Sequence, residues 1–107
     1  MNIEDFRTAI KGFDESNIVY EEPHFSLRCI ENSITKEQVT KIMLDQGSEL
    51  VRVAKDRMNV YKVYFRLSSS RELKVIVDMG GYKKLRLLTV KILDNRFKIK
   101  TIRRKGH

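Results

Sequence analysis

His24 and Arg28 are the residues of this chain whose types and spacing best suit catalysis. Four residues apart in a helical pattern, they would lie on one face of a helix. His24 would stand in the first turn, where the positive end of the helix dipole disfavours a charged imidazole. A neutral imidazole could act there as a general base, and Arg28 could hold a phosphate. The alternative, which the frequency of this spacing favours, is that His24 packs at a helix start while Arg28 pairs with Glu21 or Glu31.

Charge is divided unequally between the two halves of the chain. Residues 1–51 hold five Lys/Arg and ten Asp/Glu, a net charge of −5, whereas residues 52–107 hold 17 and four, a net charge of +13. A basic half of this size predicts a polyanionic partner, and nucleic acid is the expected one, because each neutralised phosphate releases a counterion. RNA is expected before DNA. A solvated sheet face, or docking on an acidic protein, would explain the same charges.

Length and composition narrow the class of protein. We expect a single domain, residues 1–107, with 41% hydrophobic and 34% charged residues. The first residues lack a signal peptide and no apolar stretch could cross a membrane, so a cytoplasmic location is predicted. Two histidines and the lone Cys29 provide no metal-ligand spacing, so neither a metal nor a cofactor is expected. Cys29 lies in an apolar helical pattern and is predicted to be buried.

Local signals predict two or three helices in about residues 1–47. Asn2 and Asp5 mark the start of the first helix, Pro23 the first position of the second, and Thr35 with Gln38 a capping box that opens the third. The residues expected on the apolar sides of these helices are Phe6, Ala9, Ile10 and Phe13, then Leu27, Ile30 and Ile34, then Val39, Ile42 and Met43.

From about residue 49 to 103 the hydrophobic period changes to two, which predicts strands. These strands cover about residues 49–55, 59–67, 73–79, 85–93 and 96–102, with Val51 and Val53 on one face of the first and a hairpin signal at Gly80-Gly81. Residues 85–93 are apolar on both faces apart from Arg86 and Lys91, which indicates a central strand. Residues 18–20 form a short extended segment. The fold class predicted is α+β, with the helices on one face of a four- to five-stranded antiparallel sheet.

Many basic residues lie at the strand positions that alternate with the apolar ones and are expected to face solvent. The residues predicted to contact nucleic acid are Lys62, Tyr64, Arg66, Lys83, Lys84, Arg96, Lys98, Lys100, Arg103 and Arg104. Tyr64 stands among charges and is the preferred ring for stacking on an unpaired base, whereas Tyr61 is expected in the core. A last strand rich in Arg and Lys also protects a sheet edge from pairing, which explains Lys98 and Lys100 without a ligand.

The stretch from His24 to Val39 resembles the opening motif of the DUF4258 family of uncharacterised small proteins. The motif runs approximately His-Ala-x-x-Arg-x-x-x-Arg-Gly-Ile-[Ser/Thr]-x-x-x-Val, and segments 61–63 and 88–90 are similar to its strands. The matching positions are His24, Arg28, Ile34, Thr35 and Val39, while Phe25, Asn32 and Ser33 depart from the motif.

This resemblance implies a fold similar to the RelE/ParE-type toxins, many of which are ribonucleases neutralised by an antitoxin that covers the sheet. A metal-independent ribonuclease would use His24 as base, with Arg28 and Arg86 offsetting charge on the phosphate. The alternative is a non-catalytic module that binds nucleic acid or docks on an acidic, antitoxin-like protein. The acidic first half could also cover the basic sheet of a second copy, which would make a homodimer.

Overall fold

A computed structural model describes residues 1–94. In chain order the elements are α1 (Ile3–Ala9), a 3₁₀ turn (Glu15–Asn17), β1 (Ile18–Tyr20), α2 (His24–Glu31), α3 (Lys36–Leu44), β2 (Leu50–Arg57), β3 (Val60–Arg66), β4 (Arg71–Asp78) and β5 (Leu85–Asp94). The predicted strand at residues 96–102 lies outside the described residues. The α+β class, with the helices first and packed on the sheet, is confirmed.

Side-chain caps start two of the helices where the sequence predicts them. Asn2 and Asp5 bond each other's backbone N–H groups at the start of α1, and Thr35 and Gln38 do the same at α3. These reciprocal bonds satisfy N–H groups that have no partner within a helix. After α1, Gly12 adopts a φ of +80°, which a residue with a Cβ rarely tolerates, and the chain turns away from the helix.

The sheet is mixed rather than wholly antiparallel. Its strand order is β1-β5-β4-β3-β2. The last four strands pair antiparallel, as expected, but β1 runs parallel to β5 and Ile18 lies opposite Leu85. Three residues are too few to show a hydrophobic period, so the sequence predicts only that this segment is extended. With β1 on one side and β4 on the other, β5 is an inner strand, as its apolar composition predicts.

One hydrophobic core lies between the helices and one face of the sheet. Its sheet side comes mainly from alternate residues of the three middle strands, namely Val63, Phe65, Leu73, Val75, Val77, Leu85, Leu87 and Val90. Tyr61 packs against this core, as expected. The sheet face without helices is called the open face below.

Helix α2 turns a different side to the core from the one predicted. Phe25 and Cys29 are buried, whereas Leu27 and Ile30 are 54% and 74% exposed. Both sets recur at helical spacing, so the period alone does not tell which side of α2 faces the core. Packing selects the side with Phe25, whose ring centroid lies 5.3 Å from that of Tyr20. The predicted burial of Cys29 is confirmed.

Register shifts change which residues share a face. In β2, Leu50 lies opposite Phe65 and Arg52 opposite Tyr64, so Val51 is an extra residue between them. Val51 and Val53 both line one cleft beside the start of α1. In β5 the corresponding extra residue is Leu88, between the paired Leu87 and Thr89. The bulge there resets the alternation, so that Lys91 shares the open face with Arg86.

Candidate nucleic-acid interface

Three adjoining clefts form one groove along β5 and its neighbours. The central cleft, about 560 Å³, is lined by Glu21, His24, Arg57, Ile76, Asp78, Arg86, Leu88 and Thr89. The Lys91 cleft, about 530 Å³, is lined by His24, Arg28, Glu31, Asn32, Lys74, Thr89, Val90 and Lys91. The loop cleft, about 380 Å³, is lined by Val19, Met58, Asn59, Asp78, Gly80, Gly81, Lys84 and Arg86.

Each of these clefts shares lining residues with the next. The loop and central clefts share Asp78 and Arg86, while the central and Lys91 clefts share His24 and Thr89. The cationic residues along the line are Lys84, Arg86, Arg57, Arg28, Lys74 and Lys91. These six residues together with His24 are called the basic groove below. From Arg86 to Lys91 the groove follows β5 for roughly 13 Å, because their partners Asp78 and Lys74 on β4 are four residues apart at the usual rise of a strand.

Helix α2 brings His24 to the middle of this groove. The Asn32 side chain at its far end accepts a hydrogen bond from Ile92 N (2.9 Å) and donates one to Val90 O (3.3 Å), which holds the helix against β5. The Glu22 carboxylate accepts hydrogen bonds from the backbone N–H and the hydroxyl of Ser26, so the first turn of α2 already holds an anionic group. The exposed imidazole makes no hydrogen bond or ion pair with any residue of 1–94, and is free to meet a ligand.

Both arginines assigned to phosphate binding near His24 have carboxylate partners. Arg28 bonds Glu31 at 2.7 Å, as the structural alternative predicts, and Arg86 bonds Glu21 at 2.5 Å. The two arginines lie in different clefts, with His24 lining both. The structure therefore places His24 and Arg86 together in the central cleft, and Arg28 beside them in the next one.

Strand β3 carries three of the predicted nucleic-acid contacts on its open face. Lys62 lies 3.8 Å from an Asp56 carboxylate oxygen, and Arg66 lies 3.8 Å from one of Glu49. Tyr64 is only 9% exposed, and the Arg52 guanidinium stands 3.9 Å from its ring centroid. Arg52 thus already stacks on the ring that the sequence offers to a base.

The loop between β4 and β5 holds two further predicted contacts. The loop spans residues 79–84, so Gly80 and Gly81 belong to a longer connection than a two-residue hairpin. The Lys84 ammonium donates to Ser16 O at 3.0 Å while lining the loop cleft. Lys83 takes a φ of +50° and places its ammonium 5.5 Å from the ring of Tyr82, which is 86% exposed. Arg96, Lys98, Lys100, Arg103 and Arg104 lie outside the described residues.

Four basic residues of the open face escape the sequence-based assignment. They are Arg52, Arg57, Lys74 and Lys91. Lys74 lies directly opposite both Tyr64 on β3 and Lys91 on β5, and Tyr64 lies opposite Arg52 on β2. Alternation within β4 is enough to place Lys74 outward. Grouping it with Lys91, however, requires the pairing register and the bulge at Leu88.

Comparisons with protein-family models, with curated proteins and with solved structures found no match to this chain. Within residues 1–94, no three His, Cys, Asp or Glu side chains converge on a point where they could hold a metal ion. No helix in that same part of the chain has the length and apolar character needed to cross a membrane.

Proposed function

We propose that this protein binds single-stranded RNA along the basic groove. The observation that carries the proposal is the row of three adjoining clefts, whose linings together contain six cationic residues. A positively charged groove that follows a backbone is the usual way to hold an unpaired strand. Tyr82, in the same loop as Gly80, Gly81 and Lys84 of the loop cleft, exposes a ring on which a base could stack.

Polar groups in the central cleft support RNA over DNA. Glu21, Asp78 and Thr89 line it beside His24 and Arg86. These side chains could bond a 2′-hydroxyl, which is the group that lets a protein distinguish RNA from DNA. A toxin-type role, with an acidic antitoxin-like protein covering the groove, is part of the same proposal and is compatible with helices that leave one sheet face open.

A second candidate function is metal-independent cleavage of the bound RNA. Cleavage by the 2′-hydroxyl requires one group to take its proton and another to protonate the leaving 5′-oxygen. The central cleft contains the His24 imidazole and two carboxylates, those of Glu21 and Asp78. Arg86 in the same cleft could offset the charge that develops on the phosphate.

One experiment with two readouts tests both functions. A short single-stranded RNA labelled at its 3′ end is titrated with protein at several salt concentrations, and the same samples are run on a denaturing gel with chelator present. We expect log affinity to fall with log salt by about 0.7 for each phosphate contacted. Arg57→Gln should weaken binding and reduce that slope by about 0.7, whereas Lys11→Gln, at an exposed lysine outside the groove, should change neither.

The outcomes separate binding from cleavage. Fragments from wild type but not from His24→Ala would support cleavage, and intact RNA in both lanes would contradict it while leaving binding in place. Equal weakening by Arg57→Gln and Lys11→Gln would contradict the groove as the binding site. Failure to bind either RNA or the matching DNA would contradict the proposed function and favour docking on an acidic protein.

A further inference from the structure

Lys74 and Lys91 form a like-charged pair across the open face. They lie directly opposite one another on β4 and β5, where Cβ atoms are about 5 Å apart. Like charges in this position destabilise a sheet. Within residues 1–94, neither ammonium has a carboxylate partner, whereas Lys62 and Arg66, in the two neighbouring rows of the face, each have one. The pair therefore favours a bound anion, which would relieve the repulsion.

The net positive charge of the surrounding cleft balances the negative charge of a phosphate monoester. Besides the two lysines it contains Arg28 and, as its acidic side chain, Glu31, which bonds Arg28 at 2.7 Å. The net charge of these four groups is +2. A terminal phosphate carries about −1.5 to −2 at neutral pH, whereas an internal phosphodiester carries −1. Thr89, in the same cleft, offers a hydroxyl to a phosphate oxygen.

The basic groove ends at this pair within the described residues. On the same two strands the next row of the open face holds Leu93 opposite Glu72. Arg66 of β3, on the other side of Glu72, lies 3.8 Å from a carboxylate oxygen of Glu49. An RNA backbone continuing past Lys74 and Lys91 would place its next phosphate beside an apolar side chain and a carboxylate. The groove therefore suits the end of a strand at this point better than its middle.

We infer that Lys74 and Lys91, with Arg28, bind a terminal phosphate monoester of the RNA. This inference rests on the proposed RNA-binding function and adds that the protein recognises a phosphorylated strand end. Charge-assisted hydrogen bonds to an additional negative charge should make a correctly phosphorylated strand bind about tenfold more tightly than the same strand with hydroxyl ends.

Binding of three RNAs of one sequence tests the inference. One carries a 5′-phosphate, one a 3′-phosphate and one hydroxyls at both ends, each with an internal label. We expect wild type to prefer one of the phosphorylated strands about tenfold, and which one it prefers gives the direction of the strand. Lys74→Gln and Lys91→Gln should each abolish the preference, whereas Lys11→Gln should keep it. Equal affinity of wild type for all three RNAs would overturn the inference and leave the proposed function intact.

Thermal unfolding provides a readout that does not depend on RNA. Inorganic phosphate should raise the Tm of wild type above its value in chloride of equal ionic strength, and Lys74→Gln should lose this increase. Lys74→Gln should also be at least as stable as wild type without phosphate, because it removes the repulsion, so a misfolded variant would be recognised. A phosphate-dependent rise without RNA binding would support the site and contradict the proposed function. No rise and no preference for a phosphorylated end would overturn the inference.

Discussion

Arg28 and Arg86 already bond the carboxylates of Glu31 and Glu21, which bears on how each could meet a phosphate. Both arginine side chains are about half exposed, at 46% and 50%. Exposed ion pairs of this kind typically contribute only about 0–1 kcal/mol to stability. A phosphate could therefore displace either carboxylate at small cost, and the ion pairs do not close the groove.

Glu22 links the start of α2 to α3 and gives stability a dependence on pH. The hydrogen bond from the Ser26 hydroxyl, followed by the one from the Lys36 ammonium, lowers the pKa of Glu22 below its ordinary value. The same bond to Glu22 raises the pKa of Lys36. Because the folded-state pKa of Glu22 is depressed, its contribution is present above the unfolded-state value of about 4.3 and is lost as pH falls through the folded-state value.

We expect Glu22→Gln to lower the free energy of unfolding at neutral pH and to lose this effect in acid. At low pH the protonated Glu22 is itself neutral, so wild type and variant should converge. Lys36 has the opposite sign, since its raised pKa makes its contribution disappear only as pH rises above about 10.4. Urea unfolding from neutral to acidic pH measures the difference. Glu15→Gln, which removes an exposed carboxylate, serves as control, and a gap that persists in acid would contradict the assignment.

At the scale of elements, the backbone groups of β5 on the side away from β4 find hydrogen-bond partners in two different places. The β1 strand covers residues 85–87, and the Glu21 N–H donates to Leu87 O. Beyond the end of β1, the Asn32 side chain takes over the hydrogen bonds of Val90 and Ile92. The Asn32 carboxamide thus bonds backbone groups that a longer β1 would have bonded, and it holds α2 against the sheet.

Asn32→Ala should therefore destabilise the fold by about 1–3 kcal/mol, because it leaves the N–H of Ile92 and the carbonyl of Val90 without their side-chain partner. Asn32→Asp keeps the acceptor for Ile92 but sets a carboxylate oxygen against the carbonyls of Val90 and Arg28, so it should also destabilise the fold. Denaturant unfolding of the three proteins measures both values. Equal stability of Asn32→Ala and wild type would show that these bonds do not hold α2 in place.

At the scale of the whole molecule, the hydrophobic core and the basic groove lie on opposite sides of one sheet. The core on the helical side contains Cys29, and burial is the main cause that raises the pKa of its thiol. The groove lies on the opposite side and takes residues from β2, β4, β5, the loop before β5 and α2. Variants that change charges in the groove should therefore leave the core, and the protection of Cys29, unchanged.

Cys29 should act as a reporter of unfolding. A buried thiol with a raised pKa provides little thiolate, so a disulfide reagent should label it slowly in the native protein and rapidly in denaturant. Labelling of wild type and of Lys74→Gln at neutral pH, with and without denaturant, measures this. Rapid labelling of the native wild type would contradict the packing of α2 through Phe25 and Cys29.

The sequence by itself determined the features that depend on neighbouring residues. The Asn2–Asp5 and Thr35–Gln38 caps, the change from helical to strand period near residue 47 and the basic second half of the chain are all legible there. The sequence shows the caps because a cap bond joins residues three positions apart. It shows the helices and strands because burial of one face imposes a hydrophobic period of 3.6 residues on a helix and of two on a strand.

Tertiary structure alone decided how those elements meet. The parallel pairing of β1 with β5, the choice of Phe25 over Leu27 for the core and the bulge at Leu88 all result from contacts between distant segments. Most of the groove depends on such contacts, which set Lys74 opposite Lys91 and bring His24 beside Arg86. A strand register is selected by the packing of whole faces, and one residue of shift exchanges the two faces, so local pattern could not specify this arrangement.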